Sequence, residues 1–233
     1  MPYFETRNAN NANIIQIDDT FNNLRLRQTG TYSTQGQWRR SRVRYSEIHV
    51  WGSDPAIAIR SDVGVLLLER RPRGDGAFIF TLLFNTTVDI NYQFWIYDDW
   101  PEQDAEQYLV IKRSDGHTIY NANSKYMKVY GVLQGSGGVS MGLPRDWGYA
   151  VMLGFGGLRL DVISGNAPTP GWWLEVINSS GSFTRIVGAG VYVDGVTIYN
   201  IRQDGDRWPP PNSPGGTNGT NNVYHLVIDV WNH

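Results

Sequence analysis

Apolar and polar residues alternate along most of the chain in short runs, with Gly, Asn, Asp and Pro recurring between them about every ten residues. Period-two alternation with β-branched and aromatic enrichment predicts strands. YFETRN, NIIQID, NNLRLRQ, IAIRSD, GVLLLE, AFIFTLLF, YQFWIYD, YLVIKR, YMKVYGV, YAVMLGF, LRLDVI, WWLEVIN, GVYVDG, VTIYNI and YHLVIDVW all carry that pattern. The best helical segment, Trp100 to Gln107, is short and acidic and is read as a linker with at most one helical turn. Turn signals stand at RRPRGDGA, RSDGHT, NSSGSF and YVDGVT, the last holding the Asp194-Gly195 pair favoured in two-residue hairpins. The expected class is all-β with antiparallel pairing.

Displaced by 105 residues, the opening YFETRNANNANIIQIDDTFNNL aligns with YLVIKRSDGHTIYNANSKYMKV: Tyr3 on Tyr108, Arg7 on Lys112, Ile14 on Ile119, Phe21 on Tyr126, Leu24 on Val129. Both copies read as a hairpin followed by a third strand. Near the ends, Tyr92 of YQFWIYD aligns with Tyr224 of YHLVIDV at an offset of 132. The prediction is two tandem, duplicated antiparallel β-sandwich modules, residues 1–101 and 108–233, joined by a linker at 102–107. The growth of the offset places about 27 extra residues in the second module. They are assigned to a Pro/Gly/Asn-rich loop insertion near 205–222, where Trp208, Pro209, Pro210 and Pro211 form a stiff limb suited to reaching a neighbour.

A net charge of -2 gives no general attraction to nucleic acid or anionic membrane. Residues 1–75 nonetheless hold eleven Arg against eight acidic residues. Arg40, Arg42 and Arg44 would share one face of a strand, as a solvated or ion-paired contact surface; no nucleic-acid-binding motif accompanies them. The absence of cysteine excludes disulfides and thiolate chemistry. No signal peptide is read at the start, and the longest apolar runs are of strand length, so no membrane insertion is expected.

Catalytic patterns lack their contexts. GVSMG matches G-x-S-x-G at Ser140, but the flanking LQGSG and LPRDWG supply neither the strand nor the helix of a nucleophile elbow. His49, His117, His225 and His233 have no metal-ligand spacing, and Glu47 with His49 would share a strand face without implying acid-base work. Asp98 and Asp99 are adjacent and would point to opposite faces. Arg73-Gly74-Asp75 sits in an evident turn. No catalytic residue, cofactor or metal is expected. Of the consecutive Trp172 and Trp173, one would face outward, as an intersubunit contact or a sugar-stacking platform.

The opening segment, its echo at 108–133 and the terminal YHLVIDVW resemble an uncharacterised family of tail-associated, tail-tip virion proteins of long-tailed bacteriophages. Phe4 and Leu109 stand where that family has Gly after the leading Tyr. The resemblance implies a non-enzymatic structural component of the virion, made in the host cytoplasm. It would assemble with other phage tail proteins as a homo-oligomer, a trimer or higher ring. The alternative is a carbohydrate-binding or receptor-binding module contacting a host surface glycan.

Overall fold

The computed structural model describes residues 4–7, 13–17, 24–38, 42–99, 110–112, 118–121, 124–135, 137–154, 158–166, 173–204, 217–218 and 223–231, those within 4–17, 158–180 and 197–223 by backbone alone. The first half supplies β1 (Phe4–Arg7), β2 (Asn13–Ile17), β3 (Arg25–Ser33), β4 (Gly36–Gln37), β5 (Arg44–Trp51), β6 (Ala56–Arg60), β7 (Val65–Pro72), β8 (Ala77–Phe84) and β9 (Asn91–Asp98). The second supplies β10 (Val110–Lys112), β11 (Thr118–Asn121), β12 (Lys128–Gly135), β13 (Val139–Gly142), β14 (Tyr149–Met152), β15 (Leu158–Asn166), β16 (Trp173–Val187), β17 (Gly190–Asp204), β18 (Thr217–Asn218) and β19 (Val223–Asp229). Among the described residues no helix occurs, and the predicted all-β antiparallel class is what the chain adopts.

Two hairpins, β1-β2 and β10-β11, stand apart from two large sheets. One sheet runs β12-β19-β14-β6-β9-β3; the other runs β13-β17-β16-β7-β8-β5-β4, with β15 added beside β16 and β18 beside β15. Apart from the terminal β4, each order reads alike from either end once β3 is matched with β12, β9 with β19, β6 with β14, β7 with β16, β8 with β17 and β5 with β13. The ladders agree in register as well. A bulge separates Leu26↔Tyr97 from Gln28↔Ile96, and its counterpart separates Val129↔Ile228 from Gly131↔Val227. At the centre of the smaller sheet Met152 lies opposite Ala58 and Val151 opposite Ile59, while the Leu153 N–H donates to the Ile57 carbonyl at 3.4 Å. A pseudo-two-fold axis therefore passes beside the Ala58/Met152 pair.

These ladders correct the expectation of two separate modules. Strands from before and after residue 100 share both sheets, joined at β6-β14 and, through Thr184↔Val65, at β16-β7. The linker read at 102–107 lies outside the described residues. One core fills the space between the sheets, drawing Ile57, Phe80, Leu82, Phe84, Phe94 and Ile96 from the first half and Leu133, Val151, Ile186, Val191 and Val227 from the second. Each large apolar side chain buried there contributes about 1.5–3 kcal/mol. Alternation puts Trp95, Tyr97, Ala150 and Ile228 on the other face of the six-stranded sheet, in a second cluster with Leu24, Leu26 and Met127 at its margin. Over that cluster the edge strands converge: the Leu26 N–H donates to the Lys125 carbonyl at 2.8 Å and the Met127 N–H to the Leu24 carbonyl at 2.9 Å.

Two predicted turns are absent. NSSGSF lies within β16 and Asp194-Gly195 within β17, whose ladder is continuous from Trp173↔Asp204 to Val187↔Gly190. Reversal occurs instead beyond Val187, where Gly188 takes a φ of +54° that a side chain would oppose. RRPRGDGA does turn, between β7 and β8, with Gly76 at φ +82°. Part of the second half's extra length is strand, because β15, β16 and β17 form a ladder extending past the bridge to β7. Within the expected 205–222 loop, Thr217–Asn218 pairs with β15.

Candidate functional site

Two equivalent carboxylates tie down turns at opposite ends of the six-stranded sheet. Asp98 closes β9 and Asp229 closes β19, opposite Arg25 and Lys128 respectively. Asp98 is fully buried. It accepts from the Ser53 N–H (2.9 Å), the Ser53 hydroxyl (3.1 Å), the Asp54 N–H (2.9 Å) and the Asp99 N–H (2.8 Å). Gly52 is required beside it, since a Cβ there would run into Asp98 Oδ2. Asp229 accepts instead from Arg145 Nη2 (2.8 Å) and the Trp231 N–H (2.9 Å). The Arg145 guanidinium lies 4.9–5.5 Å from the ring centres of Trp147, Tyr149 and Trp231, a partly exposed cation-π arrangement. Both carboxylates are structural ties, Asp98 through both oxygens and Asp229 through Oδ1.

His225 bridges the sheets. The Gly154 N–H donates to Nδ1 (3.3 Å), which puts the imidazole proton on Nε2, 3.0 Å from Thr184 Oγ1. Burial lowers its pKa to about 4 and keeps it neutral. Ser140 is on β13 opposite Tyr192, within a strand and not at a strand-to-helix elbow. Ser140 is exposed, whereas His225 is buried between the sheets. Among the described residues no group of three or more His, Asp or Glu could hold a metal, and no helix is long and apolar enough to cross a membrane.

Two surfaces remain for binding, one on each edge of the six-stranded sheet. On β12 and its neighbour β19, Val129 (50% exposed), Tyr130, Val132 (54%) and Tyr224 (58%) are turned to solvent. Among the described residues no strand pairs with the outer edge of β12. The equivalent strand β3 exposes Arg27, Gln28, Thr29, Thr31 and Ser33. Beside β3 a groove of about 560 Å³ opens toward β5, walled by Gln28, Tyr32, Gln35, Glu47 and His49, with Ile48 and Phe94 beneath.

The residues expected to make contacts fare unequally. Arg44 begins β5 and forms an ion pair with Asp89, whose carboxyl it holds below its usual range. Arg42 precedes that strand, exposed, in a turn closed by the Trp38 N–H donating to the Val43 carbonyl (2.9 Å). The expected three-residue Arg face is thus broken, and Arg40 lies outside the described residues. So do Trp172, Trp208, Pro209, Pro210 and Pro211. Trp173 begins β16, paired with Asn166 and Asp204, at the far end of the ladder. Eleven residues separate it from Thr184 at the sandwich, about 36 Å at roughly 3.3 Å per residue. The apolar β12 edge and the β3 groove were not singled out from sequence; the Val129-Tyr130-Gly131-Val132 run in an otherwise strand-like segment was the available signal for the first.

Comparison of the chain with protein-family models, with curated proteins and with solved structures finds no match.

Proposed function

We propose that the protein is a non-enzymatic structural component of a tailed-phage virion, at the tail tip, which assembles with further copies of itself and with other tail proteins. The observation that carries this reading is the outer edge of β12, where Val129, Tyr130 and Val132 with Tyr224 alongside are exposed on a strand lacking a described partner beyond β19. An apolar, unpaired edge is an association surface that a lone soluble domain would normally blunt with charge or proline. The structural bonding of Asp98, Asp229 and His225 and the strand setting of Ser140 favour a structural over a catalytic role. The resemblance of residues 1–27 and 108–133 to tail-associated proteins supplies the particle. Mass spectrometry of purified virions carrying the gene should detect the chain at a fixed copy number in tail fractions. Its absence from particles would overturn the reading.

A further inference from the structure

We propose that the groove between β3 and β5 is a binding site for a neutral saccharide. This goes beyond the assembly role, and it starts from an internal comparison. By ladder position Gly30, opposite Phe94, is the counterpart of Leu133, opposite His225. Leu133 is buried and fills its side of the sandwich, and Met141 closes over Gly131 beside it. In the first half Gly30 has no side chain to fill the equivalent space; Phe94 beneath it belongs to the core and is 5% exposed, and a Cβ on Gly30 would stand 3.2 Å from its ring. The chain therefore holds the same site in a filled form and in an open form.

The open form has the chemistry of sugar recognition. Its volume lies within the few-hundred to thousand Å³ range of small-molecule sites. Phe94 and Ile48, each 5% exposed, close the bottom of the groove, and Tyr32 at the rim, 43% exposed, is the ring that the C–H face of a pyranose can reach. Gln28 and Tyr32 bring groups that both donate and accept, as ring hydroxyls require, and Gln35 keeps one lone pair of Oε1. Gln35 is held in place: its Nε2 donates to the Glu47 carbonyl (3.1 Å) and its Oε1 accepts from the Glu47 N–H (3.0 Å). Charges at the rim are paired, Glu47 with Arg71 at 3.8 Å and Arg73 with Asp75 at 3.3 Å, while Arg73 also bonds His49. Nothing in that balance selects an ion. An extended peptide is disfavoured because Gln35 already occupies the backbone groups of Glu47 through which a strand would add to β5.

Two-dimensional NMR of the full ¹⁵N-labelled chain tests this, with glucose, galactose, rhamnose and N-acetylglucosamine and their short oligomers titrated to about 20 mM, a range that registers millimolar Kd values. At least one should produce saturable shifts centred on residues 28–35 and 47–49. Tyr32→Ala should weaken that binding about tenfold with the melting temperature retained, and Gly30→Leu, which imports the filled arrangement, should abolish it. Tyr32→Ala keeps the test decisive if Gly30→Leu fails to fold. No saturable shift with any sugar, shifts that persist unchanged in Tyr32→Ala, or binding of a capped alternating Thr-Val hexapeptide in place of sugar would each overturn the proposal. The readout is on the isolated chain and is independent of whether virions contain it.

Discussion

β3 and β12 occupy equivalent ends of one sheet, bulge at equivalent residues and pair with strands ending in equivalent aspartates, yet they present unlike surfaces. Thr29 on β3 is matched by Val132 on β12, Arg27 by Tyr130, and Gly30 by Leu133. The first edge is polar and borders an open groove; the second is apolar and borders a filled one. Register, bulge and carboxylate belong to the frame that both halves must satisfy to pair across β6-β14. Residues free of that duty differ between the halves, and the contacts proposed above fall where they differ.

The largest expected contrast lies in the two aspartates. Asp98→Ala removes a fully buried carboxylate that accepts from three backbone N–H groups, two of them in an exposed turn, and should cost about 3 kcal/mol. Asp229→Ala, which loses a partly exposed pairing with Arg145, should cost about 1 kcal/mol. Urea unfolding of the two variants measures both, and equal costs would break the distinction between a buried and a solvated form of one tie.

Next comes pH. His225 has a folded pKa of about 4 against an ordinary 6.5, so between those values the unfolded chain binds a proton that the folded chain refuses. Its contribution is intact above pH 6.5 and is lost as pH falls toward 4, reaching about 3 kcal/mol. His225→Phe with Thr184→Val, which imports the counterparts Phe94 and Val65, should flatten that part of the stability-pH curve; an unchanged slope between pH 6.5 and 4 would assign it elsewhere.

A smaller difference is expected across the groove. Met141→Ala removes a partly buried side chain from over Gly131 and should cost about 1–2 kcal/mol. Tyr32→Ala, on the open side, should cost less than about 1 kcal/mol. Thermal melts compare them directly, and a reversed order would mean that the first-half groove is the better packed.

Alternation made the strands legible, and the echo between the two halves was visible where side chains serve equivalent positions. The alignment itself slipped. Matching Tyr92 to Tyr224 gives 132, whereas the ladders match Asp98 to Asp229, an offset of 131. One residue inverts a strand's faces, and the two tyrosines show it: Tyr92 is 2% exposed and Tyr224 58%. The opening offset of 105 becomes 103 at the bulge, where Leu26 matches Val129. Interleaving was not legible, because periodicity specifies which face of a strand is buried and says nothing of which distant strand lies beside it. Asp194-Gly195 failed as a turn because the β16-β17 ladder carries it as an ordinary pair opposite Phe183 and Ser182. The β3 groove escaped notice because it depends on a missing side chain, Gly30, whose significance appears only beside Leu133.

Light scattering of the full chain over a range of concentrations tests the contrast between the edges most directly. The wild type should exceed its 26.3 kDa monomer mass, Val129→Lys with Val132→Lys should return it to that mass, and Thr29→Lys with Thr31→Lys on β3 should leave the assembly intact. A wild type that stays monomeric, or two lysine variants that behave alike, would contradict the account.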